Sequence, residues 1–291
     1  MAQKSRDIPE YDSEEAQADS DEEQDYYDPK QERVSRAHDQ FLRNLASERP
    51  FQKIPSLPPW DQHAAGKGNM TILHYLLSNP LHCKLPFMKV RPLLDQLLNS
   101  DEKKVREFLS SKDTTGATAL TLAVLKRRWD ILLHILRHEG ALNAARVQSS
   151  DGNNCLHEII LKRGLKNFAP MGDNDKELHD CIKLILSSKS KELITGQNKH
   201  GYSPLHLAVK FKKTKIVPEG QLELVSQLIE ACPELLTISN NEDKSPYQYR
   251  LHTLKTSPED DPIAFLLKDH YMHFDDRDEV IRYLYGKGGA G

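Results

Sequence analysis

Three histidines, His74, His157 and His206, stand beside the kinds of side chain that hydrolases and metalloenzymes use. His206 follows Ser203 by three residues and lies close to His200. A serine hydroxyl within reach of an imidazole is the starting material of nucleophilic catalysis. His157-Glu158 opens like the zinc-protease sequence HExxH, but the fifth position is Leu161, so the second ligand is missing. His179 and Cys181 are two apart and fall on different faces of a predicted helix, a poor metal pair. Gly66-Lys67-Gly68 has Thr71 at the sixth position and no following Gly-Lys-Ser/Thr, so it is no phosphate loop. Asp173-Asn174-Asp175 lacks the glycine and closing glutamate of a calcium loop. Cys83, Cys155, Cys181 and Cys232 form no CxxC pair and are expected as reduced, mostly buried thiols. No catalytic residue, metal site or cofactor is expected from these residues.

What positions the three histidines is a segment that recurs. It reads NMTILHYLL from Asn69, GATALTLAV from Gly116, GNNCLHEII from Gly152, GYSPLHLAV from Gly201 and DKSPYQYRL from Asp243. The first position is Gly, Asn or Asp, the residues that best tolerate a left-handed turn. Two residues on stand Thr71, Thr118, Asn154, Ser203 and Ser245, each a good helix N-cap. Proline follows at 204 and 246, suited to the first helical position. Leu73, Leu120, Leu156, Leu205 and Tyr247 come next as core anchors. A catalytic histidine is singular, whereas one that recurs with a repeat belongs to the repeat. His74, His157 and His206 occupy the same slot, and Cys155 sits at the proline position as a helix-start residue.

These segments resemble the ankyrin repeat, whose signature centres on G-x-T-P-L-H-x-A; SPLHLAV at 203–209 is the nearest copy, and TALTLAV at 118–124 has Thr121 in place of the histidine. Gly140-Ala141-Leu142-Asn143 also resembles the loop that closes an ankyrin unit. The resemblance implies an all-α solenoid of four to five stacked units, each a β-turn loop and two antiparallel helices. It also implies that the histidine ties neighbouring turns together by hydrogen bonds. The loose repeats look like those of large filamentous-fungal ankyrin proteins. Anchor spacings of 47, 36, 49 and 42 residues exceed the ankyrin period of about 33, so insertions are expected, with 164–177 and 211–220 as candidates. Either PLLDQLLN or EKKVREFL serves as the first outer helix, and the copy at Asp243 reads as a worn terminal cap.

Around the array, residues 1–33 read as a disordered acidic tail, lacking apolar periodicity. They hold twelve acidic and four basic side chains, a charge of −8, so the remainder carries +5 against the overall −3. Residues 34–65 combine an amphipathic helix (Val34, Ala37, Phe41, Leu42, Leu45) with a proline-rich linker ending at Trp60. The array is placed at 66–255, and 256–291 as C-terminal helices with a glycine-rich end. No apolar run reaches the roughly 20 residues of a membrane helix, and no apolar leader opens the chain, so a cytoplasmic or nuclear location is expected.

Counting six and seven residues from successive anchors gives Lys126 and Arg127, Lys162 and Arg163, then Phe211 and Lys212. Stacked repeats would set these side by side as a basic ladder at the C-terminal ends of the inner helices. The helix dipole by itself favours cations there. With the loop tip Lys199, His200 and Tyr202, the ladder is the candidate surface for a protein partner bearing an acidic segment, and the acidic tail itself is a second candidate occupant. Nucleic acid fits poorly, since the body is only +5 and no aromatic residues interleave with the cations. The function expected is a non-catalytic interaction scaffold, or else the regulatory or sensor region of a larger enzyme or receptor system.

Overall fold

The computed structural model describes residues 28–47, 65–138, 140–165, 176–188, 190–210, 217–254 and 258–272. Among the described residues, helix α1 (Pro29–Ser47) is followed by five turn-and-helix-pair units. Their inner helices are α2 (Ile72–Ser78), α5 (Ala119–Leu125), α8 (Cys155–Leu165), α11 (Pro204–Lys210) and α13 (Pro246–Thr253). Their outer helices are α3 (Phe87–Leu98), α6 (Trp129–Leu136), α9 (Lys176–Ser187), α12 (Glu219–Ala231) and α14 (Pro262–Met272). Inner helices pack on inner helices in chain order, and outer on outer, so one apolar core runs the length of the stack.

The turn explains the recurring Gly, Asn or Asp. Five times a backbone amide donates to the carbonyl four residues on: Gly66 to Met70 (2.8 Å), Asp113 to Ala117 (2.9 Å), Ser149 to Asn153 (2.8 Å), Asn198 to Tyr202 (3.1 Å) and Asn240 to Lys244 (2.9 Å). Closing so tight a loop requires positive φ at its fourth residue, and Asn69 (56°), Gly116 (78°), Gly152 (77°), Gly201 (73°) and Asp243 (54°) supply it. At Gly201 the following loop also presses close: a Cβ there would lie 2.5 Å from the Asn241 amide nitrogen. Gly201→Ala should therefore cost at least about 1–2 kcal/mol, from backbone strain plus overpacking, read as a lowered urea midpoint.

After each turn the cap residue starts the inner helix. Thr118 and Ser245 accept from the amides of Thr121 and Gln248, both at 3.2 Å. Pro204 and Pro246 are the first helical residues of α11 and α13. This geometry is that of an ankyrin-type stack.

The long spacing has a cause that the sequence reading missed. A short third helix follows the outer helix in four units: α4 (Glu102–Ser110), α7 (Ala141–Ala145), α10 (Lys191–Thr195) and a 3-10 turn (Pro233–Leu236). EKKVREFL thus lies in the third helix, and PLLDQLLN in the outer one. Gly140-Ala141-Leu142-Asn143 is not a closing loop but the start of α7, because Ala141, Ala144 and Ala145 bury a small apolar face. The expected insertions at 164–177 and 211–220 fall mostly outside the described residues, as do tail residues 1–27, the PSLPPW linker and the DEVIRYLYG and GKGGAG segments.

Both ends of the stack differ from expectation. Helix α1 begins at Pro29, inside the segment assigned to the tail, because the Asp28 carboxylate accepts from the Lys30 amide (2.9 Å) and proline suits the first turn. Its face of Val34, His38, Phe41, Leu42 and Leu45 is buried, and the Tyr75 hydroxyl on α2 donates to Ser35 Oγ (2.7 Å). At the other end α14 pairs with α13 as the fifth outer helix, so the array continues past residue 255. The pair is joined by a buried Arg250–Asp261 bridge, with Nη2–Oδ2 2.7 Å and Nε–Oδ1 3.2 Å.

Candidate functional site

The three histidines are consumed by structure. His206 Nδ1 meets Ser203 Oγ (2.8 Å) and accepts from the Ser203 amide (3.2 Å), while Nε2 reaches the Lys244 carbonyl of the next turn (2.9 Å). His74 does the same with Thr71 (2.7 Å) and the Ala117 carbonyl (3.1 Å). A neutral ring with the proton on Nε2 satisfies both sets, and burial holds both pKa values down, His206 at about 4. His157 reaches the Tyr202 carbonyl (2.9 Å), but its cap partner is Asn154 Oδ1 (2.7 Å), a second acceptor. Burial lowers the His157 pKa to about 4, against the Tyr202 carbonyl, which favours the proton. Ser203 and His206 are both fully buried, so the Ser–His pair has no open face for a substrate.

The other chemistry-bearing residues are also accounted for. Glu158 accepts from the Asn153 side-chain amide (3.0 Å), and burial raises its pKa. Burial pushes the Cys155 thiol up to about 12 and raises Cys181 further, so neither forms a thiolate nucleophile near neutral pH. Cys181 is buried with its thiol toward the Trp129 carbonyl (3.8 Å). His179 instead lines an open groove of about 440 Å³ between α9 and α12, so the two do not share a site. Among the described residues no three potential metal ligands come together, and no helix is long and apolar enough to cross a membrane.

The basic ladder is only partly assembled. Lys126 and Arg127 are exposed where α5 ends, and their side chains make no ion pair or hydrogen bond among the described residues; Lys162 is half-buried on α8. Arg163 corrects the expectation: it is 5% exposed, turned into the packed face. The cause is helix length. Helix α5 stops at Leu125, and the chain leaves it in a left-handed residue, Arg127 (φ 57°), whereas α8 continues to Leu165. Seven residues along an intact α-helix turn about 700°, which returns Arg163 to the side of its buried anchor Leu156. Phe211 and Lys212 lie outside the described residues.

At the fourth turn Lys199 and His200 are exposed and Tyr202 is half-buried. The Tyr202 ring packs at 5.1 Å from Tyr249 and 5.9 Å from His206, and Lys210 Nζ sits 4.9 Å from its centroid. Tyr202 thus anchors the turn as well as edging the surface. Two residues escaped the sequence reading: Lys210, exposed at the end of α11, and Leu125, 38% exposed beside Lys126. Both stand five residues after their anchors, Leu205 and Leu120, one position short of the count that located the ladder. The signal was present in the spacing, but its exposure follows only from where α5 and α11 end.

No family model matches the sequence, and no curated protein sequence does. Solved structures to which the chain is similar include the ankyrin repeat protein EF0377, at 16% identity over 81% of this chain and 96% of that one, with a TM-score of 0.49. Another is the S. cerevisiae Swi6 ankyrin-repeat fragment, at 14% identity over 77% of this chain and 87% of that one, with a TM-score of 0.46. The repeat architecture rests on the chain's own five turns and its histidine bridges.

Proposed function

We propose that this ankyrin-type stack is a non-catalytic protein-interaction module whose partner presents an acidic segment to the inner-helix ends and the fourth loop tip. The observation that carries this reading is the exposed pair Lys126 and Arg127 at the end of α5, with Leu125 beside them. By contrast, Arg146 and Lys191 are taken up by ion pairs, with Glu192 (2.7 Å) and Glu234 (2.7 Å). Lys162, Lys210 and Lys199 extend the same charge across the third and fourth units. Cations in this position also gain from the helix dipole, by about 0.3–1 kcal/mol at most, so their charge remains available to a ligand. Four free cysteines, three of them buried, fit a reducing compartment and hence a cytoplasmic or nuclear setting.

The reading is tested with fluorescently labelled poly-L-glutamate as a generic acidic chain. The Lys126→Glu/Arg127→Glu double variant should bind it at least tenfold more weakly at low salt, with unchanged circular dichroism. It should also show a shallower dependence on salt, because fewer charges are in contact. Equal affinity for variant and parent would remove the proposal.

A further inference from the structure

Arg127 is held in a conformation that does not suit arginine. Helix α5 ends with the Arg127 amide donating to the Val124 carbonyl (3.0 Å) and the Arg128 amide to the Ala123 carbonyl (2.9 Å). This ending places its left-handed residue where glycine fits without penalty. Of the described residues other than glycine, only Asn69 and Asp243 share a positive φ, and Asn and Asp tolerate it. Arg127 is long and exposed, and its side chain takes no hydrogen bond or ion pair among the described residues. The fold is therefore less stable with arginine here than with glycine, and among the described residues the side chain gains no hydrogen bond or ion pair in exchange. Strain of this kind, kept at an exposed charge next to an exposed leucine, points to a ligand.

We infer that the resident occupant of the Leu125–Lys126–Arg127 corner is the chain's own N-terminal segment, through residues 8–15, Ile-Pro-Glu-Tyr-Asp-Ser-Glu-Glu. This rests on the reading of the same face as a site for acidic segments. Residues 1–27 hold ten acidic and two basic side chains, so the whole charge of −8 precedes Asp28. Residues 8–15 combine four carboxylates (Glu10, Asp12, Glu14, Glu15) with Ile8 and Tyr11, which matches two cations and one exposed leucine.

The tether has the length to deliver them. Its fixed end is Asp28, at the start of α1, and α1 lies along α2, the inner helix next to α5. The Lys67 amide of the first turn donates to Ser35 Oγ (2.7 Å), which sets the start of α1 near that turn. Between residues 15 and 28 the chain spans up to about 44 Å when extended, several times the roughly 10 Å between adjacent packed helices. A tether of this kind supplies an effective concentration on the order of millimolar, so weak ion pairs suffice. An external acidic partner then has to displace the segment, which makes the tail a built-in competitor.

The test uses the full chain and carbodiimide coupling of carboxylates to lysines, with coupled pairs mapped by mass spectrometry. Residues 8–15 should couple to Lys126 at least fivefold more than to Lys103 or Lys104, which are exposed on α4, and independently of protein concentration. Arg127→Gly should lower that coupling at least threefold while raising the urea midpoint, an outcome that misfolding cannot imitate. Even coupling across the exposed lysines, or coupling unaffected by Arg127→Gly, overturns the inference. A second chain, carrying Glu10→Gln, Asp12→Asn, Glu14→Gln and Glu15→Gln, should bind labelled poly-L-glutamate at least threefold more tightly than the parent. Equal binding by the two chains overturns the tail as occupant but leaves the acidic-partner reading standing. Failure of both chains to bind overturns that reading too.

Discussion

Asp261→Ala should cost about 3–5 kcal/mol, read as a large fall in urea midpoint with early loss of the C-terminal helix pair. Arg250 is fully buried and Asp261 nearly so, with their forked contact at 2.7 and 3.2 Å. Removing the carboxylate strands a guanidinium that cannot reach water, the costly way to break a buried pair. Two further bonds depend on the arrangement. Arg250 Nη1 donates to the Val209 carbonyl (2.6 Å), tying α13 to α11, and Asp261 Oδ1 accepts from the Ala264 amide (2.9 Å), capping α14. Replacing both residues by apolar ones of similar size, Arg250→Met with Asp261→Leu, should recover much of the loss, because no buried charge then remains. A double variant as unstable as Asp261→Ala would show that the cap and the Val209 contact, not the charge, hold this end together.

Acid should loosen the stack between about pH 6.5 and 4. In the folded chain the His206 pKa is lowered to about 4, while in the unfolded chain it returns to about 6.5. Within that window the unfolded state binds a proton that the folded state does not. Stability is therefore fully present above pH 6.5 and is lost as pH falls toward 4, by about 3 kcal/mol for His206 alone. His74 is lowered by the same cause and adds loss of the same sign. His206→Gln should make this acid limb shallower, since glutamine keeps a cap acceptor without titrating while His74 and His157 still titrate. Gln248 already does this in the fifth unit, where its Oε1 accepts from the Ser245 amide (3.0 Å). The same substitution should lower stability at pH 7 by about 1–2 kcal/mol, because the bridge to the Lys244 carbonyl is lost or lengthened. Urea midpoints measured from pH 7 to 4.5 decide both points, and an unchanged acid limb in the variant would assign the pH dependence elsewhere.

Much of the repeat was legible in the sequence. The left-handed turn residue, the cap two residues later and the buried anchor all act within one short segment, so each copy carries its own instructions. The histidine slot was legible for a related reason: a residue that recurs with the unit does a task that recurs with it. Thr121 shows the limit, since its hydroxyl meets Thr118 Oγ1 (3.1 Å), within its own cap, and is too short to bridge to the next turn.

The candidate surface was legible only in part. Counting from the anchor leads to exposed positions at Lys126 and Arg127, and the same count leads to a buried one at Arg163. Equivalent sequence positions occupy equivalent space only while the helices carrying them have equal length. Where α5 ends and α8 does not, the same count leads once to solvent and once to the core.

The amino-acid sequence by itself determined the turns, the caps, the inner helices and the place of the histidines, because these follow from residues within a few positions of one another. Tertiary structure decided the short third helix or 3-10 turn of the first four units, the pairing of α13 with α14 through Arg250 and Asp261, and which cations face outward. Those features depend on where a helix stops and on what lies across from it, and neither is encoded in any single repeat.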